Sequence, residues 1–487
     1  MGDKKVSVKR EPNKTERLME KYGALVAIAL LLLLYFMPLP NGMSLEGQRS
    51  LAIFVFALIM WVAKPIPIYL TSLIAILMLP LSGAVESQKV VFGTLGFDVI
   101  WLMVAAFVLT SAMNETNLGK RFALIMVTRF GKTPKRLLGV LVVVNFVLAF
   151  FVPSTTARAS LLVPIVLILL EIYQALPGES RFGKLLMLQG IQNNHFATSM
   201  IMTATSGQVI AIGFINEMTG ANIGYMDWLL GSMPQAIISA IILFFIGLKI
   251  YKPEDIEGDI KAVNQRLKQQ LHDLGKISEK EKKAAIYFGL TLFLWATGDI
   301  QEAVIGFSLS TVQTAVLSMI LMLMPKIGVI EWKQANIKWD LMLFSAGAYA
   351  AGNALNDSGG ATWLIDRLIN AIGIDKLPIP TVAVILIFIS VFSHIIFTSK
   401  TVRVTIVIPA VVTLATSLGM DPIPIAMACS FGIAYTFTLP PHSKVNTLYF
   451  STGYFSVLDE LKFGLIASFV GSSVISILYF TWLQVIF

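Results

Sequence analysis

Apolar runs separated by short polar joints occupy most of the chain after its first twenty or so residues, at 25–36, 51–62, 137–152 and 465–487 among others. With their flanks these runs approach the roughly 20 residues that a membrane-spanning helix needs. The period-2 alternation of a membrane barrel is absent, so the spans are read as helices. The pattern predicts spans at 23–40, 48–64, 66–84 and 97–115, then apolar sequence to 172 broken near 153–158, then spans at 189–213 and 229–250. Residues 251–283 form the one long charged stretch. Spaced apolar positions there (Ile256, Ile260, Val263, Leu267, Leu271, Leu274) predict an amphipathic helix lying on the membrane surface. Further spans fill 284–487, with a second apolar run broken near 398–403. The expectation is an all-α integral membrane protein with about 11 transmembrane spans.

Composition strengthens this reading. Of 487 residues, 56% are hydrophobic and 14% charged, and the mean hydropathy is +0.76. Soluble proteins carry about 25% charged residues and could not cover so much apolar surface. The single cysteine, Cys429, excludes an intrachain disulfide. The net charge of +8 is read as topogenic, because basic residues cluster beside the spans, and no nucleic-acid partner is expected. Residues 1–22 read as a cytoplasmic basic tail, and no small-residue cleavage site follows the first span. The loop at 129–136 holds Arg129, Lys132, Lys135 and Arg136 with no acid, whereas 372–380 holds only Asp375 and Lys376. The positive-inside rule then places the first loop inside and the second outside. A multi-pass protein of the plasma (inner) membrane is expected, with the N-terminus cytoplasmic and the C-terminus outside.

The two halves repeat. Asp98 and Asp340 each open a span that ends in Asn114-Glu115-Thr116 or Asn356-Asp357-Ser358, at an offset of 242. Ser154-Thr155-Thr156-Ala157-Arg158 matches Ser399-Lys400-Thr401-Val402-Arg403 at an offset of 245, and the match runs on to Pro164 and Pro409. Opposite loop charge makes this an inverted-topology repeat, a common construction of secondary transporters.

Both Ser-x-Thr-x-Arg segments interrupt apolar runs, the first beside Pro153. Non-helical backbone at membrane depth is tolerated where it is buried in protein or lines a wet cavity. A helix restarting after such a break aims free N–H groups and its positive dipole end at the gap, a place for a carboxylate. Two such tips from two repeats would hold a molecule with two carboxylates. The plainer alternative is that each hydroxyl bonds a preceding carbonyl and packs. Arg158, Arg403 and Lys400 are cations at costly depth, facing a cavity, snorkelling to an interface, or pairing with acids such as Asp98 and Asp340. Segments 203–208 and 436–446 supply further hydroxyls, including Thr205 and Thr438, and the second contains a Pro-Pro break. His442 and Lys444 either join the site or sit in a loop near its mouth, while His195 and His394 read as structural. No metal cluster, phosphate loop or catalytic constellation is visible, so no cofactor, metal or catalytic residue is expected.

At these residues the chain resembles the divalent anion:sodium symporter (DASS) family of INDY-type di- and tricarboxylate transporters. That family carries Ser-Asn-Thr at each of two hairpin tips, where this chain has Ser154-Thr155-Thr156 and Ser399-Lys400-Thr401. Leu439, Pro440, Asn446, Gly453 and Tyr454 are similar to a second family signature, and Glu331-Trp332-Lys333 with Trp339-Asp340 to a third. The resemblance implies re-entrant hairpins, broken helices, a homodimer and an elevator-type motion. It implies scaffold helices at 23–118 and 284–360, hairpin and transport helices at 119–250 and 361–487, and 251–283 as a cytoplasmic linker. It also implies that Ser154, Thr156, Ser399 and Thr401 contact substrate carboxylates; Thr155 and Lys400 at the same tips, and Thr205 and Thr438 in the later segments, are candidates for the same site on the reading of the residues themselves.

The departures from the family pattern carry information. In sodium-coupled members the asparagines help hold sodium, and here they are Thr155 and Lys400, while Lys444 replaces a proline of the signature. Arg158, Arg403, Lys400, Lys444 and His442 are therefore expected to serve as fixed cations in place of sodium. An empty site that stays positive crosses a membrane at a cost of several kcal/mol, which a bound dianion offsets. The expectation is a sodium-independent exchanger of C4/C5 dicarboxylates (the malate, succinate and 2-oxoglutarate class), with sodium-coupled symport or an anion channel as alternatives.

Overall fold

The computed structural model describes residues 14–131, 133–152, 154–254, 260–397 and 399–487. The tail at 1–13, Lys132, Pro153, Ile256 and the rest of 255–259, and Thr398 lie outside the described residues. Among the described residues no strand occurs, seven helices are long and apolar enough to cross a bilayer, and five shorter apolar helices accompany them.

The first half runs α1 (Lys14–Phe36), α2 (Leu45–Ala63), α3 (Ile68–Leu81), α4 (Gln88–Gly93), α5 (Asp98–Asn114), α6 (Leu118–Phe130), α7 (Pro134–Phe151), α8 (Thr155–Ile172), α9 (Arg181–Met200), α10 (Ser206–Thr219) and α11 (Tyr225–Tyr251). The second half follows with α12 (Ile260–Asp273), α13 (Glu279–Ala296), α14 (Gly298–Ile305), α15 (Thr311–Leu323), α16 (Trp339–Asp357), α17 (Gly360–Ile372), α18 (Ile379–Phe392), α19 (Lys400–Ser417), α20 (Pro422–Ile433), α21 (Lys444–Phe450) and α22 (Val457–Leu478). From α5 to α11 and from α16 to α22 the order of elements is the same. The span expected as one helix over 189–213 is two, because α9 ends at Met200 and α10 begins at Ser206.

The chain divides into two compact units, residues 1–96 with 339–367, and residues 97–338 with 368–487. In the first, α16 packs on α2 and α3. That contact depends on Gly347, where a Cβ would stand 2.4 Å from Ser72 Cβ. The Ser72 hydroxyl accepts from Trp61 Nε1 at 3.2 Å and donates to the Phe344 carbonyl at 3.1 Å, which ties the three helices through buried polar groups. In the second unit, α5 packs on α15 and α13. The helix that opens each repeat therefore packs on helices from the other half of the sequence.

The amphipathic stretch is helical as α12, but protein rather than lipid covers its apolar side. Val263 and Leu267 are buried, and α12 packs on α6 and α8. Arg121 of α6 fixes the turn that follows. It donates to Glu281 Oε1 at 3.2 Å and to the Gly275 carbonyl at 2.9 Å. Glu281 also accepts from the Ser278 N–H in a capping box that starts α13.

Candidate functional site

Each hairpin tip is a helix start capped by its own serine. Ser154 Oγ accepts from Ala157 N at 3.3 Å, and Ser399 Oγ from Val402 N at 3.4 Å. The first intrahelical bonds run from Arg158 N to the Ser154 carbonyl and from Arg403 N to the Ser399 carbonyl, both at 3.0 Å. This leaves the N–H groups of Thr155 and Thr156, and of Lys400 and Thr401, without a helical acceptor at the positive end of the dipole. Thr401 Oγ1 lies 3.0 Å from Ser399 Oγ. Pro164 and Pro409 sit within α8 and α19, where each removes an N–H that would have bonded four residues back, at Ser160 and Thr405.

The breaks opposite the tips share one geometry. After α9 come an extended Ile201, a 3-10 turn over Met202–Ala204 and an extended Thr205 (φ −146°, ψ 147°) before α10. After α20 the chain runs through an extended Leu439, a 3-10 turn over Pro440–His442 and an extended Ser443 (φ −152°, ψ 148°) before α21. Thr205 thus corresponds to Ser443, an offset of 238. The same offset relates the hydrogen bonds that pin the breaks. Gln208 Nε2 donates to the Thr198 carbonyl at 2.9 Å, and Asn446 Nδ2 to the Thr436 carbonyl at 2.7 Å.

The arginines obey this symmetry too. Arg158 is fully buried and donates to the carbonyls of Val152 (3.0 Å) and Asn194 (3.2 Å) and to Thr198 Oγ1 (2.5 Å). Arg403, also fully buried, donates to the carbonyls of Gly432 (3.5 Å), Tyr435 (3.1 Å) and Ile433. Asn194 and Gly432 are again 238 apart. Arg403 therefore satisfies carbonyls at the end of α20 and in the break after it, whereas Arg158 bonds the Val152 carbonyl just after α7 and the Asn194 carbonyl within α9. Pairing with Asp98 or Asp340, entertained on sequence grounds, is not how these hydrogen bonds are made. Among the described residues, Arg158 Nε and Arg403 Nε and Nη1 have no hydrogen-bond partner.

The halves interlock at the site. The α10 helix packs on α19, and α21 packs on α8. A Cβ built on Gly207 would stand 3.5 Å from Lys400 Cβ, so the start of α10 meets the second tip directly. Lys400 lies within Coulombic reach of Arg158 and Arg403, and His195 within reach of Lys400, Arg158 and His394. The Lys400 ammonium has no hydrogen-bond or ion-pair partner among the described residues. Thr205 is half-buried and its hydroxyl bonds Gln208 Oε1 at 3.1 Å.

Thr438 is buried between two histidines, with Oγ1 3.1 Å from His394 Nε2 and 3.0 Å from His442 Nδ1. His195 Nε2 lies 2.9 Å from Asn446 Oδ1 and 3.2 Å from Thr436 Oγ1. Asn446 also donates to Glu460 Oε1 at 2.9 Å. His195, His394, Gln208, Asn446 and Glu460 thus belong to the polar network behind the breaks. Gln208 and Asn446 lie in the segments that the sequence singled out, whereas no sequence signal pointed to Glu460 or joined the two histidines to them. Lys444 is exposed at the start of α21.

Multiple apolar spanning helices, two interrupted segments and converging cations define a multi-pass membrane transporter. The chain matches the family described as the sodium:sulfate symporter transmembrane region over residues 18–487. It belongs to that family, the divalent anion:sodium symporters whose paired tips its sequence resembles, and it is a transporter rather than an enzyme. It is 27% identical to the sodium-dependent dicarboxylate transporter SdcS of Staphylococcus saprophyticus, over 93% of this chain and 90% of that one. It is 24% identical to the citrate/succinate antiporter of Escherichia coli K12, over 91% and 93%. A solved structure of the Neisseria gonorrhoeae efflux pump MtrF shares the fold, with a TM-score of 0.58 at 14% identity, over 97% of this chain and 96% of that one.

Proposed function

We propose that this transporter exchanges C4/C5 dicarboxylates of the malate, succinate and 2-oxoglutarate class across the membrane without sodium. The observation that carries the reading is the Lys400 ammonium. It stands at a helix start, near two guanidiniums, with no acceptor of its own among the described residues. Lys400 is half-buried, and a partly desolvated cation in that condition favours an anionic partner. The main-chain N–H groups of Thr155, Thr156, Lys400 and Thr401, with the hydroxyls of Ser154, Thr156, Ser399 and Thr401, are of the kind that two carboxylates accept from. Thr205 and Thr438 line the same region on this reading, and Arg158, Arg403, His442 and Lys444 add to its positive field.

The names of relatives favour a carboxylate substrate but do not choose the coupling, since one is a sodium-dependent transporter and another an antiporter. The choice of exchange rests on Lys400 occupying the position of a sodium-binding asparagine. The accompanying picture is a homodimer of the bacterial plasma membrane that works by an elevator motion. In it, 23–118 and 284–360 form the scaffold, 119–250 and 361–487 the moving part, and the N-terminus is cytoplasmic. Sodium-coupled symport is the second reading, supported by the hydroxyls and carbonyls exposed at the two breaks.

The test is uptake of radiolabelled malate or succinate into liposomes, empty or preloaded with dicarboxylate, with and without sodium. Uptake that needs internal dicarboxylate and ignores sodium supports exchange. Uptake into empty vesicles driven by a sodium gradient overturns it, and flux that neither saturates nor shows trans-stimulation points to a channel.

A further inference from the structure

The elbow between α6 and α7 carries a feature that dicarboxylate exchange does not use. A groove of about 780 Å³ lies there, walled by Met126, Phe130, Val140 and Val143, with Arg129 and Arg136 at its rim. Both arginines are exposed, and neither guanidinium has an ion-pair partner among the described residues. Arg129 lies over the Phe130 ring at 5.7 Å. The turn between them adds Lys132 and Lys135 in the sequence and contains no acid. The turn ends in a helix start, where Thr133 Oγ1 accepts from Arg136 N at 3.2 Å. Val143 is 50% exposed and Phe130 47%, so the apolar wall of the groove is uncovered by protein.

We propose that this groove binds an anionic phospholipid, with its phosphate between Arg129 and Arg136 and an acyl chain along Val140 and Val143. Charge decides the headgroup: an acid-free rim attracts a net negative lipid and gives a zwitterionic one little advantage. The wall decides against a free anion. Val140 and Val143, three residues apart, share one face of α7 and present hydrocarbon to whatever the arginines hold. A soluble phosphate would leave that face uncovered, whereas a diacyl lipid covers it. The elbow leads through α7 to the Ser154 tip, so an occupied groove steadies the base of that hairpin.

Native mass spectrometry of the purified, detergent-solubilised transporter tests this. The protein is titrated separately with phosphatidylglycerol, phosphatidylcholine and inorganic phosphate. Retention of phosphatidylglycerol over phosphatidylcholine is expected, without retention of phosphate. Affinity should fall about fivefold in Arg129→Gln or Arg136→Gln and about 30-fold in the double variant. Val143→Glu, which leaves both arginines in place, should also lower retention by setting a carboxylate against the face along which the acyl chain lies. Equal retention of the two lipids, unchanged retention in both the double variant and Val143→Glu, or competition by inorganic phosphate would each overturn the proposal.

Discussion

Replacing Lys400 by Gln removes the ammonium while keeping a side chain of similar length. Because Lys400 makes no hydrogen bond or ion pair among the described residues, no protein group is orphaned by the change. The fold should therefore keep its stability to within about 0.5 kcal/mol, as at other sites free of such partners. Binding is different. A hydrogen bond to a charged group contributes about 1.5–3 kcal/mol, and 1.4 kcal/mol is tenfold in an equilibrium constant, so the half-saturation concentration for a dicarboxylate should rise about ten- to 150-fold. The assay is counterflow of radiolabelled succinate in proteoliposomes over a wide concentration range, with a thermal melt of the same preparation. Lys400→Asn, which restores the residue of the family pattern, should in addition make uptake respond to sodium. An unchanged half-saturation in Lys400→Gln, with the melt intact, would mean that the ammonium does not meet substrate and would refute the reasoning.

Arg121→Met should lower the melting temperature markedly, since breaking a buried pair costs about 3–5 kcal/mol. Adding Glu281→Met should cost less than the sum of the two single changes, because Arg121 and Glu281 share one bond network at 3.2 Å. Glu254 supplies a pH prediction outside the spans. Burial works to raise its carboxyl, but hydrogen bonds from the Ser180 hydroxyl (2.5 Å) and the Phe182 N–H (3.1 Å) outweigh this and hold it below the usual carboxylate value. A depressed folded-state value means stability present above the ordinary range near pH ~4.3 and lost as pH falls through the folded-state value. The melting-temperature gap between the native protein and Glu254→Gln should thus be full at pH 7 and close on acidification, and a gap independent of pH would contradict it. Gly464→Ala should cost about 1–3 kcal/mol by overpacking, because its Cβ would stand 2.5 Å from the Phe437 carbonyl oxygen. It should also slow exchange by displacing the second break, and normal exchange together with a normal melt would argue against that contact.

Periodicity and composition alone determined that this chain is helical and lives in a bilayer, because each apolar run declares its solvent locally. The paired Ser-x-Thr-x-Arg segments marked both tips, since a helix cap and an interior proline are local chemistry readable from a dozen residues. The tertiary structure decided who meets whom. Main-chain partners of Arg158 and Arg403 lie within α9 and in the break after α20, some thirty residues on. No local signal says which distant carbonyl a buried guanidinium will meet. His195 and His394 had no ligand-spaced neighbours in sequence, and their partners Asn446 and Thr438 lie 251 and 44 residues away. The amphipathic face of α12 was legible, yet its burial against α6 and α8 was not, because an apolar stripe satisfies lipid and protein equally well. The break at Ile201–Thr205 was hidden for a related reason. Hydrophobicity measures what surrounds a segment and does not register where its backbone ladder is interrupted and a side chain, here Gln208, takes up the Thr198 carbonyl.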